Sequence, residues 1–310
     1  MSCIMDELHT YLDLRRTLGF KLQEHEPVLR KFVDFLQAQA AAFVTTQLAL
    51  QWAQQPRLSS QAHRARRLGM VRDFARYLSA RDPRTQIPPQ GLLPGRPRRA
   101  QPYIYSDAQI LSLLQTASAL EPRDGLRPRT YSTLFGLLAV TGMRVGEVLA
   151  LTDRDVDLSR SLLTVRQSKF NRTRLLPVQP STQEALRMYV HWRNELVPCR
   201  ATDRFFVSGR GTGLTKSSVR LAFIRVSRQI GLRAPADRHG PRLHDLRHTF
   251  AVRTLTDWHR AGIDSEQRLP LLSTYLGHAK VGDTYWYLTA VPELLDTVGT
   301  RLENVLGDLS

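Results

Sequence analysis

Four short segments carry residue types that can grip an anion or move a proton. In TGMRVGEVLAL, residues 141–151, Arg144 follows a glycine at what reads as a helix start. A guanidinium there can clamp phosphate, helped by helix N-terminal N–H groups, although an exposed helix arginine is the commoner fate of such a residue. Glu147, in the first turn, can orient that guanidinium or simply face solvent. Lys169 lies in the polar stretch SKFNRTR with Arg172 and Arg174, two candidate DNA contacts. On an exposed turn it is a solvated cation; in a nucleic-acid groove it is also a proton donor. In LHDLRHTFA, residues 243–251, His244 and Arg247 stand at i and i+3, on one face of a helix. His248 stands at i+4 from His244. That spacing can hold zinc, but the Glu-containing metalloprotease pattern is missing and no third ligand is evident. His278 follows Gly277, and Tyr287 comes nine residues later, between Trp286 and Leu288. A tyrosine so flanked is more often a packing residue than a nucleophile.

These residues need elements to position them. Leu29, Phe32, Val33 and Leu36 mark one face of a helix, and Leu68, Val71, Ala75 and Leu78 mark a second after a turn at residues 58–60. The second helix carries Arg64, Arg66, Arg67, Arg72 and Arg76, which read equally well as a solvated basic face or as a row meeting DNA phosphates. Residues 87–102, IPPQGLLPGRPRRAQP, hold five prolines, two glycines and three arginines. Proline removes a backbone donor and resists helix, so this stretch predicts a linker, along which Arg96, Arg98 and Arg99 can track a DNA backbone. Ser106 and Asp107 then offer capping chemistry for a helix through Leu111 and Leu114. Residues 131–150 predict a buried helix, an interruption at Thr141-Gly142 and a second helix. Leu162–Val165 and Leu175–Val178 are apolar runs around a basic turn, a β-hairpin signature. From Thr182 onward the chain reads as mostly helical, with loops near 208–215 and 233–243. Leu295, Val298, Leu302 and Val305 form an apolar stripe on a final helix.

Composition limits the partners. Of 310 residues, 44 are Lys or Arg and 28 are Asp or Glu, a net charge of +16. An arginine-rich excess of this size fits a polyanion, most simply nucleic acid. The two cysteines, Cys3 and Cys199, are far apart in sequence and show no metal-ligand spacing, which fits a reducing cytosol. The opening MSCIMDELHT shows neither the basic nor the apolar region of a secretory signal. The longest apolar stretch, around Leu134–Val140, is too short to span a bilayer.

In order and spacing the four segments resemble the tyrosine recombinase (phage integrase) family. That family's pattern is Arg, a hairpin Lys, His-x-x-Arg, His or Trp, then Tyr. Arg144, Lys169, His244, Arg247, His278 and Tyr287 fill all six places, and TG-x-R-x-x-E-x-L-x-L, HDLRHTFA and LGH match the surrounding text. The gap from Arg247 to His278 is longer than in simple members, with the extra length placed in residues 257–269. The ending TYWYL-x-x-x-PEL is similar to recombinases of mobile elements, including those encoded in threes.

The resemblance implies a mainly α fold with a small β-hairpin or sheet, in two domains. Residues 1–86 would be a helical core-binding domain, 87–102 a Pro/Arg-rich linker, and 103–310 a catalytic domain with a C-terminal helix. It implies a site-specific recombinase that cuts and rejoins DNA through a 3′-phosphotyrosine, with no metal and no cofactor. The two arginines would hold the phosphate, His278 would donate a third bond, Lys169 would protonate the leaving 5′ oxygen, and His244 is the best candidate to take the proton of Tyr287. Tyr285 is the rival nucleophile, but on a helix it points about 200° away. Expected partners are a duplex recombination site, further copies of the chain in a DNA-bound tetramer, and sister recombinases, with no membrane; the expected location is the cytoplasm, at the nucleoid. A type IB topoisomerase-like enzyme and a catalytically idle DNA-binding regulator remain as alternatives.

Overall fold

The structure, a computed structural model, describes residues 4–20, 22, 24–55, 59–95, 101–166, 173–237, 239–278 and 280–288. The chain divides into two compact units, Met1–Ala100 and Gln101–Ser310.

The first unit holds four helices: α1 (Ile4–Thr17), α2 (His25–Ala38), α3 (Thr46–Gln54) and α4 (Gln61–Ser79). The stripe Leu29, Phe32, Val33 and Leu36 is fully buried on α2, facing Leu68, Val71, Phe74 and Ala75 of α4 in one core. Side-chain oxygens of Thr45 and Ser60 cap α3 and α4, accepting the N–H groups of Leu48 and His63. The proline-rich stretch begins folded back on α4, because Arg72 donates to the carbonyls of Pro88 (2.6 Å) and Pro89 (2.8 Å).

The second unit begins with α5 (Asp107–Ser118), capped by a Ser106–Gln109 box, and α6 (Leu126–Thr141). α6 is apolar on several faces and packs against α5, α8 and α10, so it runs through the core. α7 (Val145–Ala150) follows the interruption at Gly142, as the sequence predicts. The hairpin is present as β2 (Leu162–Val165) and β3 (Arg174–Pro177), in register Leu163↔Leu176 and Val165↔Arg174. A third strand, β1 (Val156–Asp157), pairs antiparallel with β2. Sequence missed it because two residues show no alternation.

α8 (Pro180–Leu196), α9 (Lys216–Gln229), α10 (Asp245–Arg260), α11 (Ser265–Leu276) and α12 (Gly282–Leu288) complete the unit. The fold is therefore mainly helical with a small sheet. A separate apolar cluster, Ala251, Val252, Leu255, Leu269, Leu272 and Leu276, joins α10 to α11 and receives Tyr287 from α12. Residues 257–269, where the sequence reading places the added length between Arg247 and His278, form the end of α10, the turn at Gly262 and the start of α11. Among the described residues, no helix is long and apolar enough to cross a membrane. Cys199 is exposed and free. The apolar stripe at 295–305 lies outside the described residues.

Candidate active site

The site is built around two helix ends. α6 stops at Gly142, which adopts φ +60. A side chain there would meet the Phe250 ring at 2.6 Å, so glycine suits both the left-handed turn and the packing. α11 stops in the same way at Gly277, φ +68, where a Cβ would lie 2.7 Å from an Arg174 nitrogen. Both turns free carbonyl oxygens that a continuing helix would consume.

Those carbonyls hold the arginines. Arg247 is only 2% exposed and spans the two helix ends, donating to Gly142 O and to Leu276 O, each at 2.7 Å. Arg144 caps α7, and its side chain donates to Gly277 O at 2.8 Å and to Glu147 Oε1 at 2.7 Å. The Arg144 backbone N–H donates to Glu147 Oε2 at 3.0 Å. Arg174 reaches the same carboxylate with both terminal nitrogens, at 2.7 and 3.2 Å. Burial alone would raise the Glu147 carboxyl, but the bonds from Arg174 and Arg144 outweigh it and hold the group below its usual range. Burial, then the charge of Arg144, lowers Arg247 to about 10, which leaves it a cation at neutral pH. Three guanidinium groups around one carboxylate leave an excess of positive charge, a setting for an anion.

The histidines line the same place. His278 Nδ1 lies 2.7 Å from the buried Thr284 hydroxyl, which leaves Nε2 for a ligand. Its ring stacks on Tyr287, with centroids 6.1 Å apart. His244 caps α10, open to solvent at the mouth of the site yet closely surrounded by chain, and its ring meets His248 edge-on at 4.7 Å. Burial pushes His248 and His278 down to about 4, with the next cause His244 for His248 and Arg247 for His278; His244, whose surface is exposed, is drawn down in the same direction by the surrounding chain and then by Arg247. His248 and His278 are therefore neutral at pH 7. The Tyr287 hydroxyl lies 3.1 Å from His248 Nδ1, and the residue is 2% exposed, whereas Tyr285 is 50% exposed. The two tyrosines do point apart.

Five of the six residues singled out for catalysis thus meet in one place, together with Glu147. Lys169 lies outside the described residues, as do Arg172, Arg96, Arg98 and Arg99. Arg174 is drawn inward onto Glu147. In the first unit, Arg66 pairs with Glu24 and Arg76 with Asp73, both at the exposed surface. Arg67 stacks on Trp52 at 3.7 Å and donates to its carbonyl, while Arg64 reaches Ser59. Sequence reasoning weighed His248 only as a zinc ligand and passed over Thr284. Among the described residues, no group of three or more His, Cys, Asp or Glu is placed to hold a metal. The inward turn of Arg174 had a visible signal, since it shares its strand face with Leu176.

Fold and site together define a class: a mostly helical protein that gathers two anchored arginines, histidines and a buried tyrosine beside one buried carboxylate. Residues 105–293 match the phage integrase family. The chain is 48% identical over 307 residues to "Putative integrase/recombinase y4rB" of Sinorhizobium fredii (strain NBRC 101917 / NGR234), covering 98% of both. It is 36% identical over 297 residues to y4rE of the same strain, covering 96% of this chain and 94% of that one. Its fold is like that of the XerH site-specific recombinase bound to a palindromic difH substrate in a post-cleavage complex. The TM-score is 0.66 at 20% identity, covering 90% of this chain and 79% of that one. The chain belongs to the phage integrase family and is a site-specific tyrosine recombinase.

Proposed function

We propose that the protein cuts and rejoins duplex DNA with Tyr287 as nucleophile. The observation that carries this reading is the convergence of Arg144, Arg247, His244, His278 and Tyr287, from segments far apart in sequence, onto one place. Phosphoryl transfer spreads charge over the non-bridging oxygens, so positioned cations supply much of the catalysis. Arg144 and Arg247 have donors left after binding their carbonyls, and these grip the non-bridging oxygens. His278 adds a bond through Nε2, and His244 stands beside the arginines at the mouth. The oxygen of Tyr287 attacks phosphorus, the bond to the 5′ oxygen breaks, and Lys169 protonates that oxygen. The resulting 3′-phosphotyrosine keeps the ester, so a 5′ hydroxyl from another strand reverses the step without ATP.

The first unit serves as the core-binding domain, α4 running along the duplex. The partner is a specific DNA site on which several copies of the chain assemble as a tetramer. The ending TYWYL-x-x-x-PEL supports a role in a mobile element with sister enzymes.

The test is a nicked suicide duplex built on the sequence that the protein selects from a random-duplex pool. Wild type should trap DNA covalently and Tyr287→Phe should not. A trap that survives Tyr287→Phe and fails in Tyr285→Phe would give the nucleophile to Tyr285. No trap in wild type would favour an idle DNA-binding regulator.

A further inference from the structure

Tyr287 needs somewhere to send its proton. A phenol with an ordinary pKa near ~10 is mostly neutral at pH 7 and a weak nucleophile. Its hydroxyl is 3.1 Å from Nδ1 of His248, and the two ring centroids are 5.4 Å apart. Packing against the α10–α11 cluster fixes the direction of that hydroxyl, because Tyr287 is buried among Ala251, Leu255, Leu272 and Leu276. His248 is fixed as well, edge-on to Trp286 at 5.4 Å on one side and to His244 at 4.7 Å on another. It sits one turn beyond His244 on α10, so it meets α12 while His244 stays with the arginines.

We propose that His248 is a further catalytic residue, whose Nδ1 takes the phenolic proton of Tyr287 as the tyrosine oxygen bonds to phosphorus. This rests on the reading of Tyr287 as nucleophile, and it moves the proton-accepting role from His244 to His248. A neutral imidazole has one bare nitrogen; with the proton on Nε2, the lone pair of Nδ1 faces the phenol. Burial, then His244, keeps His248 neutral before reaction. Nearby Arg242 and Arg247 oppose a positive charge on its ring while Asp245 favours it; a bound DNA phosphate adds to the favourable side. The step balances. The O–H bond of Tyr287 breaks and its proton goes to Nδ1, the O–P bond forms, and the P–O5′ bond breaks with a proton from Lys169. In rejoining, His248 returns the proton to the departing phenolate.

The experiment measures single-turnover formation of the covalent adduct on the selected suicide duplex, with oxygen or sulfur at the bridging 5′ position. A thiol is a far stronger acid than an alcohol, so sulfur leaves without a proton. Asparagine at 248 keeps a hydrogen-bonding group near the position of Nδ1 but cannot take up the proton; His248→Ala removes both. His248→Asn and His248→Ala should both slow adduct formation by about 100-fold, the usual range for a lost general base. The loss should be equal on the two substrates, with DNA affinity and melting temperature unchanged for His248→Asn. Lys169→Ala should recover on sulfur. A His248→Asn rate equal to wild type, or above it, overturns the assignment, since the bond would then only orient or park the tyrosine. A His248→Asn defect erased by sulfur also overturns it. If wild type forms no adduct, the reading of Tyr287 fails and this proposal with it; an adduct undiminished in His248→Asn sinks the His248 role alone.

Discussion

Arg144 and Arg247 are anchored on consecutive carbonyls, Gly277 O at 2.8 Å and Leu276 O at 2.7 Å, at the end of α11. The spacing between the two guanidinium groups is therefore set by a single peptide unit. Arg247 is further fixed by Gly142 O. Lysine can make neither the paired bonds nor the planar fork. Arg247→Lys should keep the fold but lower the rate of DNA cleavage by about 100–1000-fold, the scale of losing a placed transition-state donor. Single-turnover cleavage beside a melting curve checks this, and a loss under tenfold would argue against the clamp.

Glu147 holds two arginines and is 9% exposed. Glu147→Gln leaves Arg144 and Arg174 without a counter-charge inside the protein. Breaking one side of such a buried arrangement costs roughly 3 kcal/mol. The melting temperature should fall and cleavage should fall with it. Arg174→Gln should do less harm, because Glu147 keeps Arg144.

Gly277→Ala tests the turn. It places a side chain at φ +68 and 2.7 Å from Arg174. The left-handed backbone alone costs roughly 1–2 kcal/mol, and displacing Arg174 or the Gly277 carbonyl disturbs Arg144. Cleavage should fall by more than the loss of folded protein explains, read as activity per folded molecule.

Stability should depend on pH through the histidines. His248 and His278 are lowered to about 4 in the folded chain, against roughly 6.5 unfolded. A depressed histidine binds its proton more weakly folded than unfolded. Its contribution is thus complete above pH 6.5 and is lost as pH falls toward 4. Melting temperature should drop across that window, and His248→Asn should flatten the drop. DNA should oppose it, since a phosphate between the arginines favours protonated imidazole.

In the first unit the exposed pairs Arg66–Glu24 and Arg76–Asp73 are worth little and can be exchanged for phosphate. Arg66→Ala with Arg76→Ala should flatten the salt dependence of DNA binding by about 0.9 per lost contact. Arg67→Ala should instead lower the melting temperature, because its guanidinium lies on Trp52. Titrations at several salt concentrations separate the two outcomes.

Much of this was legible in the residues. The stripes on α2 and α4, the break at Gly142 and the two-strand hairpin follow from apolar spacing, and the identities of Arg144, Arg247, His278 and Tyr287 follow from family order. What stayed hidden was contact between distant segments. Nothing local says that Gly142 and Leu276 would share one guanidinium, or that His248 would meet Tyr287. Arg174 lies in a basic run that suggests DNA contact, while strand alternation puts it on the face of buried Leu176, where it meets Glu147.

The anchoring of Arg247 has a consequence for a DNA-cutting enzyme inside a living cell. Its two carbonyl partners, Gly142 and Leu276, lie on either side of it in sequence and come together only when α6, α10 and α11 have docked. A full-length chain partly unfolded by heat keeps every one of these side chains but loses their arrangement. Folding itself thus works as an interlock: until these three helices are docked, the Arg247 guanidinium has no fixed place.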